Sequence, residues 1–177
     1  METMIQTERP VMNETNVKGK AVSVIGAARS GVAVARLLAR HGASVFVSDS
    51  GAETNLLEQI AALRSFGAAV ETGGHTERVL KADLIVVSPG VPSTIPILRE
   101  AERRDLRVVG ELELASWFCP APIIGVTGTN GKTTTTTLIG RILQDAKRKH
   151  AVGGNIGNAF STMLEELDAR SIAVLEV

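Results

Sequence analysis

The chain has 177 residues, equal numbers of basic and acidic side chains (19 Lys plus Arg, 19 Asp plus Glu), and a hydrophobic share of 44%. Zero formal charge without long single-sign runs argues against a general nucleic-acid or membrane-surface binder. A single cysteine, Cys119, excludes an internal disulfide framework and a cysteine metal cluster, and no apolar run approaches the ~18 residues of a membrane span.

Residues 1–17 read as a leader. They mix charges with Pro10 and lack the apolar centre of a signal peptide, which fits a cytoplasmic protein. From Lys18 onward strands and helices alternate. AVSVIG (Ala21 to Gly26) is a short apolar, β-branched run ending in glycine, as a buried parallel strand requires. SGVAVARLLARHG follows as a helix with Val32, Ala35, Leu38 and Ala39 on one face and Gly42 as its stop. ASVFVSD (Ala43 to Asp49) is a second strand, LLEQIAALRSFG a helix ending at Gly67, and AAVETG a weaker strand. DLIVVSPG (Asp83 to Gly90) is the strongest strand, broken at Pro89. A helix PILREAERRD, a strand LRVVG and a helical ELELASWF complete this part, with Trp117 and Phe118 packing its end.

Cys119 to Pro122, CPAP, places two prolines within three residues and reads as a linker or hinge. The pattern then restarts over 123–177: strand IIGVT, a glycine-rich turn, helix TTTTTLIGRILQDA, loop GGNIG, helix NAFSTMLEEL and a last apolar strand SIAVLEV. Strands alternating with helices at this spacing imply parallel sheets covered on both faces. Because the sequence ends in or just after that last strand, the second unit is expected to be incomplete.

Two glycine turns carry the chemistry. In VTGTNGKTT the glycines let successive backbone N–H groups point inward at the start of a helix, the geometry that binds phosphate. Gly128, Thr129, Asn130, Gly131, Lys132, Thr133 and Thr134 form this candidate ATP site. Lys132 is placed to reach the β- and γ-phosphates, and the Thr133 hydroxyl to ligate magnesium. The strict two-glycine spacing is not met, since Val126 occupies the first glycine position. Thr135 to Thr137 read as packing residues. The earlier turn, GAARSG (Gly26 to Gly31), resembles the dinucleotide fingerprint, with Asp49 at about the spacing of its ribose-binding acid. Ala28 stands at the middle glycine, where close approach of a pyrophosphate is needed, so a nicotinamide dinucleotide fits less well than another nucleotide. The fold class is therefore α/β, a Rossmann-like parallel-sheet domain (18–118) followed after the linker (119–122) by the front of a P-loop NTPase-like domain (123–177). An NAD(P)-dependent oxidoreductase and a P-loop NTPase or kinase are the alternatives that these turns leave open.

VTGTNGKTT, GGNIG, the strand ending LEV, GELELAS (Gly110 to Ser116) and DLIVVSPGVP (Asp83 to Pro92) together resemble the Mur ligases, with Asn130 favouring the D-glutamate-adding branch. The resemblance implies an ATP- and Mg²⁺-dependent amide ligase of cytoplasmic peptidoglycan precursor synthesis, acting on UDP-N-acetylmuramoyl-L-alanine and D-glutamate through an acyl phosphate. It implies that Ala28, Arg29 and Ser30 meet the diphosphate and sugar, and that Asp49 and Ser50 meet the uridine. Ser88, Pro89 and Gly90 would line the same pocket, and Asn155 would touch the substrate near the reaction centre. Gly51 departs from the longer polar residue that relatives can carry there. Glu176, at the C-terminal end of a parallel strand, suits a magnesium ligand beside Thr133. The family's later metal-binding, adenine-binding and D-glutamate-binding segments follow the part matched here, so ligation by this chain alone is not expected. Glu111 and Glu113 diverge on a helix and do not read as a catalytic pair. His75 reads as a loop or cap residue.

Overall fold

The computed structural model describes residues 16–177, which form two sheets. The first is built from β1 (Ala21–Ile25), α1 (Arg29–Arg40), β2 (Ser44–Ser48), α2 (Leu57–Ser65), β3 (Ala69–Glu71), β4 (Leu84–Val87), α3 (Pro96–Arg103), β5 (Val108–Gly110) and α4 (Glu111–Trp117). Its strand order is β3-β2-β1-β4-β5, with every pair parallel. The chain winds outward from β1 to β3 and then returns to lay β4 on the other side of β1. Such a reversal opens a crevice at the carboxyl ends of the two central strands.

The Val, Ile and Leu runs of β1 and β4 have no polar alternation because both faces are covered. On one side Val22, Val24, Val34, Leu38, Leu63 and Leu114 form a core between the sheet and α1, α2 and α4. On the other, Ile25, Val79, Leu80, Ile85, Leu98 and Ala101 pack beneath α3. The leader lies outside the described residues except for its last two, of which Val17 joins the first core.

The second sheet comprises β6 (Ile123–Val126), α5 (Lys132–Asp145), β7 (His150–Gly154), α6 (Phe160–Met163) and β8 (Ile172–Glu176), in parallel order β6-β8-β7. β7 corrects the sequence reading, which took Gly153 and Gly154 as loop. Glycines have poor strand propensity, and this segment is a strand because β8 supplies its ladder from His150 to Gly154. The helix expected from Asn158 to Leu167 is a single turn, although Phe160, Met163 and Leu167 are all buried. Of Thr135 to Thr137, expected to pack, only Thr136 is buried.

Cys119–Pro122 carry neither helix nor strand, but the two sheets are joined by more than this segment. Ala115 of α4 and Ala121 share a buried cluster with Phe160, Met163, Leu167, Ala173 and Leu175. Phe160 is fully buried at the centre of this seam.

At the tip of the first sheet a polar cluster ties β2 to β3 and the loop beyond. Ser48 Oγ donates to Glu71 Oε1 at 2.7 Å and lies 2.7 Å from His75 Nδ1. Thr76 Oγ1 donates to Glu71 Oε2 at 2.7 Å. Burial pushes the Glu71 carboxyl up, but the hydrogen bonds from Thr76 and Ser48 outweigh it and hold the group below its ordinary value of 4.5.

Two outcomes follow from this packing. Phe160→Ala should cost about 3–5 kcal/mol in urea denaturation, and an unchanged midpoint would contradict the seam. A carboxyl with a lowered folded-state pKa stabilises the fold above its unfolded value and loses that contribution as pH falls through the folded one. Glu71→Gln should therefore flatten the acid limb of stability below about pH 4.5, measured by urea midpoints across an acid series; superimposable curves would refute this.

Candidate functional site

β1 is followed by Gly26, whose φ is +97°, and a Cβ there would lie 3.0 Å from Ser88 Cβ. A Cβ on Gly31 would run into the Gly26 carbonyl. Both glycines are thus required by close approach of the turn to the start of α1 and to the segment after β4. Ser88 is buried and donates to the Gly26 carbonyl at 3.3 Å. Ala28 is the N-cap of α1 and contributes no side-chain cap, and Ala28 and Arg29 are exposed.

Asp49 follows β2 and faces this turn. Its Oδ2 accepts from the Ala27 N–H at 2.6 Å, and its Oδ1 from the Gly51 N–H at 2.7 Å. The acid that the spacing marked as a nucleotide contact is therefore also a clamp between the two strand ends. The Gly73 and Gly74 N–H groups bond the carbonyls of Gly51 and Asp49 at 2.9 and 3.3 Å. This joins the clamp to the Glu71 cluster behind it.

A cleft of about 1150 Å³ opens over the first turns of α1. Of the residues predicted from sequence it brings together Ala28, Arg29, Ser30, Pro89, Gly90 and Asn155, the last arriving from the second sheet. Asp49, Ser50 and Ser88 are not in its wall; Asp49 and Ser88 support the turn from behind. Arg36, Phe66 and Thr162 also line it. Arg36 lies seven residues after Arg29, two helical turns on the same face, which is the signal that could have marked it.

The second glycine turn leads from β6 into α5. Gly128 has φ +141° and Gly131 φ +75°, and the N-cap Gly131 leaves the first turn of α5 without a side-chain cap. Lys132 Nζ folds back to donate to the Gly128 carbonyl at 2.8 Å. Thr129, Asn130 and Thr134 are exposed around this turn. Thr133 Oγ1 donates to Glu176 Oε2 at 2.8 Å, so the two residues marked as metal ligands meet. Glu176 is only 7% exposed. Among the described residues no cluster of three or more His, Cys, Asp or Glu could hold a metal ion, so a cation here would rely on one carboxylate, one hydroxyl and its own ligands.

The cleft and the second turn are adjacent. The Asn155 N–H donates to the Glu176 carbonyl at 2.9 Å, and a Cβ on Gly154, whose φ is +100°, would collide with the Glu176 backbone. One strand end therefore presents Glu176 to the second glycine turn while its backbone holds the loop that carries Asn155. His75 lies in the cluster beside β3, and Glu113 is paired on the surface with Arg107 at 3.7 Å. No helix among the described residues is long and apolar enough to cross a membrane.

Comparison with known proteins agrees with this architecture. Residues 20–110 match the family described as Mur ligase MurD-like, N-terminal domain, and residues 126–177 match the Mur ligase middle domain. The chain is 52% identical over 170 residues to the UDP-N-acetylmuramoylalanine–D-glutamate ligase of Chlorobaculum tepidum, covering 94% of this chain and 36% of that protein. It is 47% identical over 163 residues to the same-named protein of Desulfatibacillum aliphaticivorans, covering 92% and 36% respectively. The chain thus spans about a third of the length of the curated relatives it matches. Among solved structures, a pseudomurein peptide ligase type C from Methanothermus fervidus aligns with TM-score 0.53 at 28% identity, over 90% of this chain and 33% of that one. The UDP-N-acetylmuramate:L-alanyl-γ-D-glutamyl-meso-diaminopimelate ligase from Neisseria meningitides shares the fold, with TM-score 0.52 at 19% identity over 88% of this chain and 52% of that one. With half of its residues matched by the N-terminal model and its second sheet by the middle-domain model, the chain belongs to the Mur ligase family.

Proposed function

We propose that this chain is the UDP-substrate-binding and phosphate-binding part of a cytoplasmic ligase that joins D-glutamate to UDP-N-acetylmuramoyl-L-alanine in peptidoglycan precursor synthesis. The observation that carries the reading is the shared wall between the two sites: Asn155 lines the cleft while its N–H is held by Glu176, whose carboxylate meets Thr133 of the phosphate turn. A substrate in the cleft and a triphosphate on the second turn would thus be neighbours. The relatives' names supply the substrate pair, and the division of the chain into 18–118, a linker at 119–122 and 123–177 assigns one ligand to each part.

In this reading Ala28, Arg29, Ser30, Pro89 and Gly90 hold the diphosphate and sugar, Asp49 and Ser50 the uridine end, and Asn155 the end toward the reacting carboxylate. ATP lies on Gly128, Thr129, Asn130, Gly131, Lys132, Thr133 and Thr134. Lys132 exchanges the Gly128 carbonyl for phosphate oxygens, and the N–H groups at the start of α5 take the remaining charge. The Thr133 hydroxyl and the buried Glu176 carboxylate are hard oxygen donors in contact, the donor chemistry that Mg²⁺ prefers. Bound there, Mg²⁺ would neutralise charge on the phosphate oxygens. The reaction is phosphoryl transfer from ATP to the alanine carboxylate, followed by attack of the D-glutamate amine on the acyl carbon with loss of phosphate. Positioning and charge neutralisation are the main contributions a protein makes to the first step.

Isothermal titration tests the assignment of the cleft. UDP-N-acetylmuramoyl-L-alanine should bind, with affinity about tenfold weaker in Asp49→Ala, a loss of ~1.4 kcal/mol; equal or tighter binding of NAD would point to the oxidoreductase alternative and overturn the reading. The second turn is tested separately. In a protein of the relatives' length, Lys132→Ala should abolish ATP-dependent turnover while leaving the affinity for the UDP-linked substrate within about twofold. Loss of that affinity with ATP use preserved would contradict the division of labour.

A further inference from the structure

Two carboxylates are buried among the described residues, Glu176 and Glu111, and the proposed function uses only the first. Glu111 is 2% exposed and opens α4, directly after the edge strand β5. No cation pairs with it among the described residues. Its Oε1 instead accepts a hydrogen bond of 2.6 Å from the backbone N–H of Ser161, fifty positions later in α6. An unpaired buried carboxylate costs stability where an apolar side chain would not. That cost directs attention to the position that the bond fixes.

α6 closes the loop 154–159, and this loop supplies the second-sheet wall of the cleft through Gly154, Asn155, Gly157 and Asn158. The opposite wall, Ala28 to Ser30, belongs to the first turn of α1. Apolar packing along the seam restricts the spacing of the two sheets, but each dispersion contact is non-directional. A short charge-assisted bond is directional. The ion pairs between α1 and this region are surface contacts of Glu165 with Arg40, at 2.6 Å, and with Arg36, at 3.6 Å, which solvent screens.

We infer that Glu111 is a positioning residue for the ligand in the cleft: by holding Ser161 it sets the Asn155 loop at a fixed height above the first glycine turn. A ligand long enough to touch both walls then depends on Glu111, and one confined to the first wall does not. The inference rests on the reading of the cleft as the UDP-substrate site.

The experiment compares UDP with UDP-N-acetylmuramoyl-L-alanine by isothermal titration on the 177-residue chain and its Glu111→Ala and Glu111→Gln variants. The amide exchange rates of Ser161 and of residues 154–158 are followed by NMR. Glu111→Ala should leave UDP affinity within about twofold and weaken the longer ligand about tenfold. Exchange across 154–161 should quicken. Glu111→Gln, whose amide oxygen can still accept from Ser161, should recover most of the longer ligand's affinity. Equal weakening of both ligands, no weakening of either, or failure of Gln to improve on Ala overturns the inference. If the parent chain does not bind the longer ligand, the cleft assignment fails; the Glu111 clasp is then decided by exchange alone, supported by faster and overturned by unchanged rates. Should Glu111→Ala not fold, Glu111→Asp, which keeps the charge but shortens its reach by one methylene, replaces it with the same outcomes.

Discussion

The arrangement depends on the packing of α6 against α1 and α4. Phe160 and Met163 enter a buried cluster with Ala115 of α4 and with Ala173 and Leu175 of β8. This single turn of helix is therefore an apolar plug between two sheets that a four-residue segment joins in sequence. Because interiors pack at crystal-like density, such a plug restricts the relative position of its neighbours. Without it the Asn155 loop would have no fixed relation to the first glycine turn, and the cleft between them would have no defined width.

The two glycine turns share a backbone strategy and differ in what surrounds them. At Gly26–Gly31 the chain is drawn tight against Ser88 and clamped by the Asp49 carboxylate, with an alanine where a dinucleotide fold places its middle glycine. At Gly128–Gly131 the turn opens into a fourteen-residue helix with a lysine at its first position and a hydroxyl beside a buried carboxylate. The first geometry presents the start of α1, with Arg29 and Arg36, to the cleft. The second gathers the N–H groups at the start of α5 and the Lys132 cation at one point. The bond between the Asn155 N–H and the Glu176 carbonyl brings the two turns into contact.

Much of this was legible from sequence because its causes are local. The β-branched runs of β1, β2 and β4, the glycines at forced close approaches and the Gly-Lys-Thr ending of the second turn each state their structure within a few residues. Six of the residues assigned to the UDP-linked substrate gather in one cleft, and Thr133 meets Glu176 as their proposed roles require. What was not legible depends on distant partners. β7 is rich in glycine and is a strand only through β8. α6 stops after one turn although its apolar spacing continues. Asp49 was marked by its spacing, but its bond to Ala27 is visible only once β1 and β2 are paired. Glu111 gave no signal, because the Ser161 amide it serves lies fifty residues away.

The central claim is that one ligand spans both sheets. Backbone amide shifts of the 177-residue chain, titrated with UDP-N-acetylmuramoyl-L-alanine and with NAD, test it most directly. The account predicts that the UDP-linked ligand moves Ala28, Arg29 and Ser30 together with Gly154, Asn155 and Asn158, at one common affinity, and that NAD moves neither group. Shifts confined to the first turn, or the same response to NAD, would contradict it.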